Sequence, residues 1–168
     1  MLKGLNLLLS AKPFVYKKTQ VLSLPRDLVY STVLDVPSYS RFLPWCKQSH
    51  WIDDASPPAS VKHSGERKAR LTVDYKLLQE SYVSKVTFEP LCHIKAVAAD
   101  SDLFETLDTV WELKEQGDGT CIDFYINFKF HLGLYQGISA ALSHTLTNTM
   151  LEHFVKECHR RHKERVSI

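Results

Sequence analysis

Glycine is scarce in this sequence, with six residues in a chain of 168. The sequence contains no Gly-x-Ser-x-Gly nucleophile elbow, no phosphate-binding glycine loop and no dinucleotide fingerprint. Each of these motifs needs glycines at fixed positions, where the backbone turns tightly or approaches a phosphate. Their absence argues against nucleotide chemistry.

Closely spaced cysteines and long apolar runs are missing as well. The four cysteines, Cys46, Cys92, Cys121 and Cys158, form no Cys-x-x-Cys pair, so we expect reduced, mostly buried thiols and no zinc knuckle or thioredoxin-type site. No Asn-x-Ser/Thr acceptor occurs, and no apolar run approaches the roughly 18 to 20 residues of a membrane span. The net charge is +2 and the basic residues are interleaved with acidic ones, which predicts no nucleic-acid partner.

Acidic residues are absent from the first 26 positions. The basic residues of this segment are Lys3, Lys12, Lys17, Lys18 and Arg26. Leucines at positions 2, 5, 8 and 9 place an apolar stripe on a short helix, and a basic, acid-free amphipathic start is typical of mitochondrial import. We predict a mitochondrial presequence in residues 1–12, or alternatively a frayed terminus that leads into the first strand. Residues 13–168 contain no linker and are predicted to form a single domain.

Local patterns predict the secondary structure. Strand-like composition over residues 14–24 ends at Pro25, which suits the first turn of a helix. That helix closes at Pro37, and a second short helix runs through Phe42. Alternating apolar and polar residues then predict six strands. The strands are residues 46–52, 67–78, 82–88, 93–99, 106–114 and 121–131. The last two are joined by a tight turn whose glycines, Gly117 and Gly119, supply positive φ angles.

The final strand and the carboxyl-terminal segment define the core. Five apolar side chains alternate with polar ones along the strand, so one face is apolar and the other is wet. These are Ile122, Phe124, Ile126, Phe128 and Phe130. The residue pattern over 134–165 predicts a helix about 45 Å long. Its first half is uncharged and its second half is highly charged. We expect the sheet to embrace the first half and the second half to project into water.

This order of elements predicts an α+β fold. A curved antiparallel sheet of about six to seven strands wraps around the long carboxyl-terminal helix, with two short helices after the first strand. A hollow can remain between the sheet and the helix. The segment YSRFLPWC at residues 39–46 packs three aromatic residues where a connection is ordinarily polar, and it is either a plug at the end of the core or a gate for an apolar ligand.

Three motifs carry a family resemblance. They are DVPSYSRFLPWC at residues 35–46, a Phe-x-x-Leu-x-x-x-Trp element at Phe104, Leu107 and Trp111, and the strand end Phe128-Lys-Phe130. With them the chain resembles the coenzyme Q-binding proteins of the START-like, polyketide cyclase-related superfamily, over residues 14–162. The resemblance implies a helix-grip (START-like) fold and a hydrophobic tunnel that holds ubiquinone as a bound ligand. It also implies a peripheral place on the matrix side of the mitochondrial inner membrane and a role in respiration.

The apolar strand face, the long helix and the resemblance together predict the residues that line the tunnel. They are Tyr39, Phe42, Leu43, Trp45, Phe104, Leu107, Trp111, Phe124, Ile126, Phe128, Phe130, Ile138, Leu142, Leu146 and Met150. We expect the quinone ring to lie deep against Trp111 with Tyr39 as hydrogen-bond donor, since strand alternation turns Tyr125 and Asn127 outward. The prenyl tail then leaves past residues 42–45, although the reverse orientation serves as well.

Membrane contact follows from a long prenyl tail. Leu43, Pro44 and Trp45 are the predicted contacts, because tryptophan suits a membrane interface. A basic carboxyl end adds attraction to anionic lipid headgroups, or is an ordinary solvated helix end. Its residues are Lys156, Arg160, Arg161, Lys163 and Arg165.

We predict a carrier and not an enzyme, because the inferred inner face is almost purely aliphatic and aromatic. His153 with Glu157, and Cys158 with His162, are each four residues apart, but both pairs lie in the charged half of the helix and no metal site is predicted. The acidic residues Asp100, Asp102, Glu105 and Asp108 are interpreted as a solvated rim, the alternative being an acid or base of a cyclase.

The predicted function is a quinone carrier or chaperone that supports respiratory electron transport and coenzyme Q biosynthesis. Its predicted partners are ubiquinone, the inner membrane surface, and respiratory complexes or coenzyme Q biosynthetic proteins. Two alternatives stay open from the sequence: a polyketide cyclase-like enzyme, and a ribosome-associating interaction module like bacterial relatives.

Overall fold

The structure is a computed structural model that describes residues 12–53, 63–75, 78–131 and 140–167. The predicted presequence lies almost entirely outside the described residues, as does Ile138. Both therefore stay predictions.

Seven strands form one antiparallel sheet in the order β1-β7-β6-β5-β4-β3-β2. The strands are β1 (Phe14–Leu22), β2 (Cys46–Trp51), β3 (Gly65–Tyr75), β4 (Leu78–Glu89), β5 (His93–Asp100), β6 (Phe104–Gln116) and β7 (Gly119–Phe130). Strands β2 to β7 follow one another as neighbours, and β1 closes the far side by pairing with β7. The amino-terminal strand therefore lies beside the carboxyl-terminal one.

Three helices complete the fold: α1 (Arg26–Leu34), α2 (Tyr39–Phe42) and α3 (Ala140–Val166). Helix α1 follows Pro25, whose carbonyl accepts the first backbone hydrogen bonds from Leu28 and Val29. A short 3-10 turn, Val36–Ser38, separates α1 from α2. The predicted α+β helix-grip fold is confirmed, with seven strands, two short helices after β1 and a long final helix.

The alternating face of β7 is confirmed. Ile122, Phe124, Ile126 and Phe128 are all at most 8% exposed, whereas the intervening residues are half-buried on the opposite face. The inner face of the sheet packs against α3, where Leu151, Phe154 and Cys158 are 1–3% exposed. These helix residues recur at three- and four-residue spacing, which places them on one stripe.

The predicted division of the long helix is confirmed only in part: Ser143 and Thr147 of the first half are 4% exposed and residues 163–167 are exposed, but the middle of the helix does not follow the prediction. The deepest side chains of α3 are Leu151, Phe154 and Cys158, in the middle and the charged part, whereas Leu142 and Leu146 near its start are only half-buried. The charged half does not simply project into water, because its arginines are paired with carboxylates on and beyond the helix. The amino-acid composition of this half predicted that it is charged, but it did not predict which of its arginines form ion pairs.

An ion-pair network attaches the late turns of α3 to the segment after α1. Arg160 donates two hydrogen bonds to Glu157, at 2.8 and 2.9 Å, and Arg161 donates a third at 2.8 Å. Arg161 also donates to Asp35 at 2.9 Å and to the hydroxyl of Ser38 at 2.8 Å. The hydrogen bonds from Arg160, and then those from Arg161, lower the pKa of Glu157 from 4.5 to about 2.

The turn between β6 and β7 has the predicted glycine geometry at one position. Gly117 has a φ of +58° and open space where a side chain would begin. Gly119 serves a different purpose, since a Cβ there would lie 2.2 Å from the carbonyl oxygen of Leu22. The close approach of β1 to β7 therefore requires glycine at position 119.

We expect Glu157→Gln to lower the free energy of unfolding by about 2 kcal/mol, because it removes the carboxylate that accepts charged hydrogen bonds from Arg160 and Arg161, while Arg161 keeps Asp35 as a partner. The matched control Glu164→Gln, at an exposed partner of Arg160, should cost less than about 0.5 kcal/mol. The folded-state pKa of Glu157 lies below its ordinary value, so its contribution is present above pH 4.5 and is lost as the pH falls towards 2. Urea unfolding from pH 7 to pH 2.5 checks this, and a gap between wild type and Glu157→Gln that stays constant across that range would contradict it.

Gly119→Ala should destabilise the protein by about 2–3 kcal/mol, since the new methyl group displaces the backbone of β1. Gly117→Ala has only the positive φ to overcome, at about 1–2 kcal/mol. Thermal unfolding of both variants gives the comparison. Equal losses in the two variants would show that close packing against Leu22 is not the constraint.

Candidate functional site

Two adjoining cavities lie between the inner face of the sheet and α3. The inner cavity has an empty volume of about 800 Å³ and the outer cavity about 790 Å³, in both cases including space open to solvent. The inner cavity is lined by residues that include Val33, Val36, Ser84, Ile94, Ala96 and Trp111. The outer cavity is lined by residues that include Leu103, Phe104, Ile126, Phe128, Phe130 and Leu146. Both are lined by Trp45, Val73, Tyr82, Leu107, Thr109 and Met150.

Small side chains on four neighbouring strands leave this space open. We call Ala69, Ser84, Ala98, Ala96 and Thr109 the small-residue row. Ala69 of β3 pairs with Ser84 of β4, which pairs with Ala98 of β5. Two residues along β5, Ala96 pairs with Thr109 of β6. Directly opposed residues share a face of the sheet, so the row crosses the inner face. Its short side chains extend less far towards α3 than larger residues would.

Larger residues form the roof and walls around the small-residue row. Helix α3 supplies Leu146, Met150 and Phe154 from above. The ring of Phe154 contacts the rings of Trp111 and Tyr39, each at a centroid distance of 5.0 Å. These three rings form a contiguous aromatic part of the inner cavity wall.

Stacked aromatic rings line the outer cavity. Phe104 stacks on Phe130 with a centroid distance of 5.1 Å, and the ring of Tyr82 lies edge-on to Phe104 at 5.2 Å. Phe128 contacts Phe130 at 5.3 Å. The outer cavity therefore presents aromatic ring surface on the sheet side.

Hydroxyl groups are the main polar atoms that face the cavities. Tyr39 donates its hydroxyl hydrogen to the carbonyl of Val33, so that donor is already used within the protein. Tyr82, Ser84 and Thr109 make no side-chain hydrogen bond to the described residues. Burial raises the pKa of Tyr82, and likewise that of Tyr39, far above the usual value for a phenol. Both tyrosines are therefore neutral at physiological pH.

Charged side chains stay away from both cavities. Among the described residues, no Asp, Glu, Lys, Arg or His lines either one. The acidic residues before Trp111 lie elsewhere: Asp100, Asp102 and Glu105 are exposed, and Glu105 pairs with Lys129 at 2.8 Å. Asp108 is half-buried and its neighbour across the sheet is Asn127, on the outer face.

Most of the predicted lining residues lie at the two cavities. Tyr39, Leu43 and Trp111 line the inner cavity, and Phe104, Ile126, Phe128, Phe130 and Leu146 line the outer one. Trp45, Leu107 and Met150 line both. Whether they bind a ligand stays a prediction.

Three further predicted residues lie away from the described cavity walls. Phe42 packs on Tyr39 and Phe154, and Phe124 packs on Trp111 at 4.6 Å. Leu142 is half-buried near the start of α3. Phe42 and Phe124 thus support the rings that line the inner cavity, from behind.

The predicted membrane contacts divide into inward and outward residues. Leu43 is 5% exposed and faces the inner cavity, so the expectation that it is exposed is not met. The backbone becomes extended at Leu43 after the four-residue α2, which turns its side chain inward. Pro44 is exposed and Trp45 is half-buried. No helix among the described residues has the length and apolarity needed to cross a membrane.

The basic residues near the carboxyl end differ in their partners. Arg160 and Arg161 bind Glu157, and Arg165 pairs with Asp27 at 2.9 Å. The ion pairs among the described residues include neither Lys156 nor Lys163. These two lysines therefore have no ion-pair partner within the described part of the chain.

The two metal half-sites considered from the sequence have other surroundings. Glu157 accepts hydrogen bonds from two arginines, and Cys158 is 2% exposed with its pKa raised to about 11 by burial. Within the described part of the chain, no three His, Cys, Asp or Glu side chains come together as a metal-binding group. All four cysteines are free thiols, two of them buried and two half-buried.

Sequence reasoning missed Tyr82, Thr109 and the alanines of the small-residue row. A usable signal was present, because alanine is disfavoured in strands and yet occurs at Ala69, Ala96 and Ala98 within predicted strands. Small residues on an inner face indicate missing volume. Their alignment across four strands depends on the register, which the sequence patterns did not define.

Similar proteins include both coenzyme Q-binding proteins and ribosome association toxins. The chain is 31% identical over 157 residues to the mitochondrial coenzyme Q-binding protein COQ10 homolog B of Xenopus laevis, a match that covers 91% of this chain and 61% of the frog protein. The chain thus spans about three fifths of that relative's length. It is also 30% identical over 118 residues to the ribosome association toxin RatA of Rickettsia prowazekii, covering 68% of this chain and 75% of that protein.

The fold is shared with solved structures. The aromatase/cyclase ZhuI of Streptomyces sp. R1128 superposes with a TM-score of 0.70 and covers 89% of this chain and 96% of its own, at 16% identity. At that identity the likeness concerns the fold alone. A family model for polyketide cyclases, dehydrases and lipid transport matches residues 22–155, about four fifths of the chain. The protein therefore belongs to the polyketide cyclase / dehydrase and lipid transport family.

Proposed function

We propose that the protein binds ubiquinone (coenzyme Q) in the inner and outer cavities and acts as a quinone carrier or chaperone. The observation that carries the proposal is the pair of adjoining, uncharged cavities roofed by α3. The frog relative, which matches 91% of this chain, is named a coenzyme Q-binding protein. The bacterial match covers less of the chain, at 68%.

A prenylated ring suits the lining of these cavities. Each buried CH₂-sized group contributes about 0.8 kcal/mol, so a five-carbon isoprene unit contributes roughly 3 to 4 kcal/mol. Four or five units already approach the practical ceiling of affinity. The remainder of a longer tail stays outside the protein, in a bilayer or along its surface.

The residues that line the cavities also favour binding a ligand over catalysing its reaction. A cyclase needs an acid or base beside its substrate, and the described cavity walls contain no carboxylate, imidazole, amine or guanidinium group. Tyr82 and Tyr39 stay protonated because burial raises their pKa. Binding without turnover is the activity that these groups favour.

The proposed location is the matrix side of the mitochondrial inner membrane, as a peripheral protein. The relative is named mitochondrial, and the half-buried Trp45, which follows the exposed Pro44, lines both cavities. Trp45 suits a membrane interface because its ring is apolar and its N–H is polar. From this position the protein supplies ubiquinone to respiratory electron transport and to coenzyme Q biosynthesis.

Organic extraction and mass spectrometry test the function directly. Protein purified from a ubiquinone-producing host should carry ubiquinone, and Ala96→Leu should carry much less because the larger side chain fills the inner cavity. The matched control Val97→Leu changes the next residue, on the outer face, and should retain the ligand. Thermal unfolding of both variants confirms that they are folded.

An extract without ubiquinone, from a protein that also fails to bind added short-tail ubiquinone, would overturn the proposal. Turnover of a bound compound would instead support a cyclase-like enzyme. Salt-sensitive binding to ribosomal particles by a protein with empty cavities would support an interaction module.

The three tryptophans provide a spectroscopic map. Trp45 and Trp111 line the cavities, whereas Trp51 packs against Arg67 at 4.6 Å and lines neither. In variants that keep one tryptophan and replace the others by phenylalanine, a short-tail ubiquinone should quench Trp45 and Trp111 more strongly than Trp51. Equal quenching of all three, or no quenching of Trp45 and Trp111, would place the quinone elsewhere.

A further inference from the structure

Two hydroxyl groups occupy the boundary between the inner and outer cavities. Tyr82 of β4 and Thr109 of β6 each line both cavities. Neither side chain makes a hydrogen bond to the described residues. Ser84, two residues after Tyr82 on the same face of β4, lines the inner cavity and is 3% exposed. None of these three hydroxyl oxygens is among the fully buried unpaired atoms of the described residues, so each reaches cavity space where a ligand or water can pair with it.

The register leaves room for a ring between these hydroxyls. β4 and β6 are separated by β5, so their axes are about 10 Å apart. The intervening inner-face residues are Ala96, opposite Thr109, and Ala98, opposite Ser84. Thr109 is level with Val86, four residues from Tyr82 along β4, so Tyr82 and Thr109 lie diagonally across β5, and the Tyr82 ring extends over the end of β5 to Phe104 of β6. Because alanine has a single methyl group, the space above Ala96, which lines the inner cavity, stays open beside Thr109.

Tyr39 is the other phenol of the inner cavity, and its situation differs. Its hydroxyl donates to the carbonyl of Val33, which leaves only its oxygen lone pairs for a ligand. Among the cavity-lining hydroxyls described, Tyr82 and Thr109 combine an unused donor with a place at the boundary. The ring donor expected from the sequence, Tyr39, is therefore less suitable than these two.

We propose that Tyr82 and Thr109, with Ser84 beside them, hydrogen-bond the ring oxygens of the ligand and hold its oxidised and reduced forms alike. This inference rests on the proposed quinone-binding function and assigns the residues that recognise the ring. The oxidised ring has only acceptor oxygens, whereas the reduced ring has two O–H donors. A hydroxyl group donates one hydrogen bond and accepts others, and it rotates to suit its partner. A charged group would favour one redox form, and none faces these cavities among the described residues.

The test uses Tyr82→Phe and Thr109→Val, which remove each hydroxyl and keep the side-chain shape. Tyr125→Phe and Thr106→Val are the matched controls, since both residues lie on the outer face of the sheet. The ligands are decylubiquinone, its reduced form, and decylbenzene as a probe with a tail and a ring but without ring oxygens. Thermal unfolding establishes that all variants are folded.

We expect Tyr82→Phe and Thr109→Val each to weaken binding of both decylubiquinone forms by about threefold to tenfold, the loss of one hydrogen bond. Decylbenzene binding should not change. In the infrared spectrum, the carbonyl stretch of bound decylubiquinone should move to higher frequency in both variants, because a hydrogen bond lowers that frequency. The outer-face controls should behave as wild type.

Different failures identify different errors. If wild type binds no decylubiquinone, the proposed function and this inference fail together. If wild type binds it and the two variants match wild type in affinity and carbonyl frequency, only the inference fails. If the variants lose as much affinity for decylbenzene as for decylubiquinone, the substitutions have repacked the cavity wall, and the inference is overturned. Reduced decylubiquinone that binds wild type more than tenfold more weakly than the oxidised form overturns the claim that both forms are held.

Discussion

The structure depends on a shortage of side-chain volume beneath the long helix. Strands β3 to β6 place Ala69, Ser84, Ala96, Ala98 and Thr109 on one row across the inner face of the sheet. Close-packed interiors normally leave few voids larger than a water molecule. Here the cavities lie beside this row, between the sheet and Leu146, Met150 and Phe154 of α3. The space that remains is the candidate site.

The long helix is secured by its later turns. Leu151, Phe154 and Cys158 pack inward, while Glu157 and Arg161 connect the helix to Asp35 and Ser38. The later turns therefore attach the helix to the rest of the fold. The earlier turns line the outer cavity through Leu146, Thr147 and Met150. A helix that was tightly packed along its whole length would leave no place for a ligand.

Local patterns predicted much of this arrangement. The alternation along β7, the turn at Gly117 and the shared face of Leu107 and Trp111 follow from short-range rules of strand geometry. Phe104 joins that face only through a bulge between Phe104 and Thr106, which alternation does not predict. Contacts between distant segments did not follow, such as the hydrogen bond from Arg161 to Asp35 across 126 positions. The inward turn of Leu43 depends on where α2 ends. The proposed role of Tyr82 rests on strand register, which the sequence patterns did not define, so the sequence predicted Tyr39 as the donor to the ring.

An unfilled hollow has a thermodynamic consequence for the folded chain as a whole. Apolar walls that face empty space forgo dispersion contacts that a solid core would make, so the unoccupied protein is less stable than its size allows. A ligand that fills the hollow binds only the native state and stabilises it in proportion to the logarithm of its free concentration. The fraction of the chain that is folded, and therefore resistant to proteolysis, rises with the concentration of any ligand that fills the hollow.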